Sequence, residues 1–177
     1  GYLGNCYYAT GEYQKSKEAF SSCVKLNATK NATSYAQKRI DAFQLSSFFS
    51  DWEIVETETI RFHFQKSKNI ADVGLFVSAR VKAYEDINRF FSATPYKKID
   101  FYVWDNPKQA KKKLGQELGF ANSNLCIINS RNNQTRGHEI AHILVTYGAS
   151  PIKTTRLINE GVATYFDQTS RDRMQVA

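Results

Sequence analysis

The stretch His138-Glu139-Ile140-Ala141-His142-Ile143-Leu144, followed by Asn159-Glu160-Gly161 with seventeen residues between His142 and Glu160, decides how this chain is read. On a helix, His138 and His142 stand one turn apart and project from one face, as two imidazole ligands of a single metal must. Glu139 lies about 100° round the helix, beside the pair rather than opposite it. By residue frequencies alone, such a five-residue match arises in on the order of half a percent of chains this long. The apolar positions Ile140, Ile143, Leu144 and Tyr147 form a core stripe on the side away from the histidines. Gly148 and Pro151 predict the end of this helix.

Two histidines leave a catalytic zinc short of a ligand, because such sites take three protein ligands and keep a fourth position open. A third histidine in the H-E-x-x-H-x-x-G-x-x-H pattern would need glycine at 145 and histidine at 148, and the chain has Val145 and Gly148. No cysteine lies nearby. A carboxylate from the following helix remains, and Glu160 supplies one. That helix is predicted from about Thr154 to past Thr169, with Ile158, Val162, Tyr165 and Phe166 as its buried stripe.

Together, His138-Glu139-x-x-His142 and Leu157-Ile158-Asn159-Glu160-Gly161-x-Ala163-x-Tyr165 resemble the gluzincin metallopeptidases, the thermolysin-like and aminopeptidase-like "peptidase MA" group. The resemblance implies a zincin-like α+β fold with a mixed sheet and a cofactor Zn²⁺ held by His138, His142 and Glu160. Glu139 would act as general base towards a zinc-activated water in peptide-bond hydrolysis. Gly161 would let the two helices approach closely. An acid one turn after the third ligand supports the histidines in thermolysin-like enzymes. That place is Thr164 here, with Asp167 two turns after Glu160 as the substitute, and Asn159 could help through its backbone carbonyl.

The resemblance further implies that the strand before the histidine helix pairs with an extended substrate, which places Gly119, Phe120, Ala121 and Asn122 beside a bound peptide. This stretch is faintly similar to the aminopeptidase G-x-M-E-N, but lacks the acid that grips a substrate amino terminus, since Asn122 and Ser123 are neutral. An endopeptidase is the implied activity. Family members place a tyrosine or histidine from a following subdomain against the oxyanion. Tyr147 and Tyr165 read as packing residues, so that partner is expected to be missing from residues 1–177, either supplied by a longer parent or never present. The competing reading is a catalytically weak or inactive zincin-fold scaffold.

Upstream, Thr57–Gln65 alternates, with Ile60, Phe62 and Phe64 on one side and Arg61 and His63 on the other. It predicts a half-buried strand with His63 solvated. Asn69–Phe91 reads as a long amphipathic helix, Lys98–Trp104 as a second strand and Gly119–Asn129 as a third. Residues 51–177 are thus the metallopeptidase-like domain. Residues 1–50 form a helical segment in which Leu3, Gly4, Tyr7, Gly11, Tyr13, Phe20, Cys23 and Leu26 resemble a tetratricopeptide repeat. A third helix, Ser34–Phe49, would cap it with Ile40, Phe43, Phe48 and Phe49. Such a segment suits a protein partner.

Hydrophobic content of 42% and charged content of 23% exclude disorder, and no apolar run could span a bilayer. The net charge of +7 raises nucleic acid as a partner, but Lys108, Lys111, Lys112 and Lys113 lack interleaved aromatics and fit the exposed side of a short helix after Pro107. No nucleic-acid partner is expected. Cys6, Cys23 and Cys126 form no CxxC pair, and Cys6 and Cys23 are expected as buried thiols rather than a disulfide. The sequons at Asn27, Asn31 and Asn133 would matter only in a eukaryotic secretory setting. The start at Gly1, inside a helical pattern, suggests a piece of a longer protein, exported or cell-envelope parents included.

Overall fold

Alternation at Ile60, Phe62 and Phe64 puts three apolar side chains on one face of a strand, and the same holds for Ile99, Phe101 and Val103. These two rows build the centre of a five-stranded mixed sheet. A computed structural model describes residues 1–44, 48–149 and 156–167 and divides the chain into two units, Gly1–Asp51 and Trp52–Ala177.

In the first unit, α1 (Tyr2–Ala9), α2 (Tyr13–Leu26) and α3 (Lys30–Gln44) follow one another. Gly4 is the seat of the α1–α2 contact: a Cβ there would meet the Phe20 ring at 2.7 Å, and its carbonyl accepts from Ser16 Oγ at 2.6 Å. Gly11, at φ +78°, makes the turn that few other residues would tolerate. Leu3, Tyr13 and Leu26 are exposed instead of packed, and Cys6 is an exposed free thiol rather than a buried one. The third helix starts at Lys30, before the expected Ser34, where Thr29 Oγ1 accepts from Ala32 N. Phe48 and Phe49 lie in a turn beyond it, half-buried. The Phe43 side chain lies outside the described residues.

In the second unit the strands are β1 (Glu53–Glu56), β2 (Ile60–Phe64), β3 (Ile99–Trp104), β4 (Phe120–Asn122) and β5 (Ile127–Arg131). Their order is β1-β2-β3-β5-β4, with β2, β3 and β5 parallel and both outer strands antiparallel. The crossover between β2 and β3 is α4 (Val73–Phe91), started by Asp72, whose side chain accepts from Leu75 N. Between β3 and β4 comes α5 (Pro107–Leu114), with Asn106 as cap and Pro107 in its first turn. Its four lysines are exposed. The histidine helix α6 (His138–Thr146) follows β5, and α7 (Arg156–Tyr165) follows that. The fold of this unit is α+β, and no described helix is long and apolar enough to cross a membrane.

One face of the sheet is dry. Phe62, Phe101 and Ile128 lie in a single buried cluster with Phe76 and Ile87 of α4 and with Ile140, Ile143 and Leu144 of α6. Phe62 and Phe101 have ring centroids 5.4 Å apart, and Phe76 meets Phe62 edge-on. Full burial of each such side chain contributes about 1.5–3 kcal/mol, so this cluster fixes where α6 sits.

Three expectations are corrected here. The stretch Gly119–Asn129 is not one strand: a 3-10 turn at Ser123–Leu125, ended by Cys126 at φ +50°, reverses the chain and leaves β4 as the sheet edge. His63 is not solvated. Its Nε2 donates to Asp100 Oδ1 at 3.0 Å and its ring stacks on Tyr102, because Trp52, Tyr102 and Trp104 line that face of the sheet. On α7 the inward positions are Ala163, Val162 and Phe166, while Ile158 and Tyr165 are exposed. Pro151, the expected start near Thr154 and the extension past Thr169 lie outside the described residues.

Candidate metal centre

Helix α6 starts at the histidine itself. Gly137 occupies the cap and His138 the first helical position, so Glu139 sits in the first turn, where the exposed N–H groups favour a carboxylate. The stripe Ile140, Ile143, Leu144 is wholly buried and turns His138, Glu139 and His142 towards a cleft. That cleft, of about 370 Å³, is lined by Gly119, Phe120, Ala121 and Ser123 on one side and by His138, Glu139, His142, Asn159 and Glu160 on the other.

Within it the three expected ligands converge. His138 Nε2 lies 3.3 Å from His142 Nε2, and Glu160 Oε2 lies 3.5 and 3.6 Å from the two nitrogens. Ligands about 2.0–2.2 Å from a tetrahedral zinc stand roughly 3.3–3.6 Å from one another, so this triangle has room for one such ion. Each imidazole also has an oxygen beside its other ring nitrogen: Asp167 Oδ1 lies 2.7 Å from His138 Nδ1. Asn159 Oδ1 lies 3.4 Å from His142 Nδ1. The two Nε2 atoms and a Glu160 carboxylate oxygen thus face one point.

Burial pushes the pKa of His142 down, aided by His138, which favours the neutral imidazole that a metal requires. Burial pushes the Glu139 carboxyl up to about 7; His138 opposes this, and Glu160 and Asp167 reinforce it.

The supporting residues differ in kind from what the sequence led us to expect. Asp167 is almost fully buried, with its carboxylate against His138. Thr164 contributes only its carbonyl, which accepts from Asp167 N. It is the side-chain oxygen of Asn159 that lies beside His142. Gly161 has open space where a Cβ would be; the close approach is at Gly137, whose Cβ would lie 2.0 Å from the Phe166 carbonyl oxygen. Gly119, Phe120 and Ala121 line the cleft, but Asn122, although on β4, does not. Tyr147 is partly buried, and its hydroxyl donates to Ser123 O, while Tyr165 is exposed.

Sequence reasoning missed Gly137, Ser123 and Gln134. Ser123 lines the cleft and its hydroxyl donates to His142 O at 3.0 Å. A glycine before a helix and a serine after a strand carry no periodic signal, so nothing in the pattern singled them out. Gly119, at φ +94° just before β4, is a cleft residue that the sequence did point to. No protein-family model matches the chain, and neither the curated proteins nor the solved structures provide a match.

Proposed function

We propose that residues 52–177 form a zinc-dependent peptidase of gluzincin type, acting as an endopeptidase. The observation that carries this reading is the convergence of His138, His142 and Glu160 within 3.6 Å, with Glu139 in the same cleft and Asp167 on His138 Nδ1. A zinc ion held by these three side chains would supply a Lewis acid that makes hydroxide available near pH 7 and polarises a peptide carbonyl. Glu139 accepts the proton from the attacking water on its carboxylate and returns it to the leaving amine. Asp167 and Asn159 hold the two imidazoles with their Nε2 lone pairs turned inward. The edge of β4 offers unpaired backbone groups to an extended peptide, which would add as a further strand.

The cleft favours an internal segment of peptide over a chain end. Its described rim is Gly119, Phe120, Ala121 and Ser123, with no acid to hold an amino terminus. A second reading, a zinc-holding scaffold with little catalysis, is favoured by one observation: among the described residues lining the cleft, none carries a phenol or guanidinium to face an oxyanion. Bound zinc together with cleavage of an internally quenched peptide, lost in Glu139→Gln, supports the peptidase. Zinc without cleavage in the wild type supports the scaffold. A helical first unit offers either one a surface for a protein partner.

A further inference from the structure

The rim of the cleft is tied down at both ends, and one side chain makes the nearer tie. Gln134, in the loop between β5 and α6, donates from Nε2 to Leu118 O at 3.2 Å, at the point where the chain enters β4. Its Oε1 accepts from Arg131 N at 2.8 Å and lies 2.9 Å from Ser130 Oγ, so the amide is held from the strand side as well. Its backbone carbonyl accepts from Nη2 of the buried Arg80 at 3.2 Å. The amide also fills the space over Gly119, where a Cβ would sit 2.2 Å from Gln134 Nε2. At the far end, Ser123 Oγ donates to His142 O and Tyr147 Oη donates to Ser123 O. Thus β4 is fixed to the loop that begins the histidine helix and to the residues that end it.

We propose that Gln134 is a positioning residue for peptide binding: its amide holds the β4 edge in place, so that an extended peptide pairs with an edge that is already ordered. This rests on the peptidase reading of the cleft. Gln134 lines none of the cleft and touches no expected ligand, so its effect runs through the strand. A three-residue edge strand has few ladder bonds of its own, and the loss of an anchoring bond at its entry frees it.

The test uses the zinc-loaded full chain with Gln134→Leu and Gln134→Glu. The glutamate keeps size and shape but cannot donate to Leu118 O, and it decides the matter if the leucine variant fails to fold. Bound zinc is expected to stay at the wild-type level, while amide exchange at residues 119–122 accelerates about tenfold or more. On an internally quenched peptide, KM is expected to rise about tenfold with kcat within about twofold, the mark of binding contacts made equally in ground and transition states. Unchanged exchange and unchanged KM in a zinc-bearing Gln134→Glu protein would overturn the proposal, as would a fall in kcat alone. A wild type that holds zinc and cuts nothing counts against the peptidase reading, and the exchange rates then judge the anchor separately.

Discussion

Asp167 and Gly137 both bear on the place of His138. The carboxylate holds His138 Nδ1 at 2.7 Å, and the missing side chain at Gly137 lets the Phe166 carbonyl come close enough for Asp167 to reach. Asp167→Asn is expected to weaken zinc binding about 10–100-fold in a chelator competition, with the fold intact. Gly137→Ala is expected to do the same and also to lower stability, because a backbone oxygen 2.0 Å away must move. At the other side of the sheet, Asp100 is a residue-scale device of another sort. Burial alone would raise its carboxyl, but the His63 hydrogen bond and the Lys97 charge prevail and hold it below the ordinary value. A folded pKa below the unfolded one contributes stability above the unfolded pKa, near 4, and that contribution is lost as pH falls through the folded value. Asp100→Asn is therefore expected to destabilise the fold more at pH 7 than at pH 3, measured by urea unfolding at both. An equal cost at the two pH values would contradict the assignment.

The elements that matter are α6, α7 and the edge strand. Contact between the two helices is set by Ala163, wholly buried, and not by the larger Ile158 and Tyr165 expected there. A bulkier residue at 163 is expected to destabilise by about 1–3 kcal/mol and to weaken zinc binding, since Glu160 lies on α7 and Asp167 follows directly after it. Retention of zinc by Ala163→Leu would show that α7 is not placed by this contact. The histidine helix was legible in the sequence because ligand spacing and core stripe share one period, and β2 and β3 because alternation is the strongest strand signal. The division of Gly119–Asn129 into β4, a turn and β5 was not. Leu125-Cys126-Ile127-Ile128 is a continuous apolar run, and only the left-handed Cys126 marks the reversal, a conformation cysteine seldom adopts. The outward side of α7 was misread for a similar reason. Helical spacing finds an apolar stripe, but it does not reveal which of two stripes is covered.

On the scale of the molecule, the second unit is a sheet with α4 and α6 on one face, and its cleft opens beside the β4 edge. Phe101 lies at the centre of that core between Phe62 and Phe76, and Phe101→Ala is expected to cost about 3–5 kcal/mol in denaturant midpoint measurements. The α+β character was readable from strand and helix periods, and the nearness of His138, His142 and Glu160 from two short motifs whose residues the fold brings together. What carried no sequence signal was the set of single polar and glycine contacts that hold those residues in place: Gln134, Ser123, Gly137 and the Asn159 side chain. The central claim concerns the cleft as a whole. It is tested most directly by measuring bound zinc and peptide cleavage side by side for the wild type and Glu139→Gln. One zinc per chain in both proteins, with cleavage by the wild type and its loss by about 10²-fold or more in the variant, is the expected result. A wild type purified with zinc present that carries none, or a variant that cleaves as fast as the wild type, would contradict it.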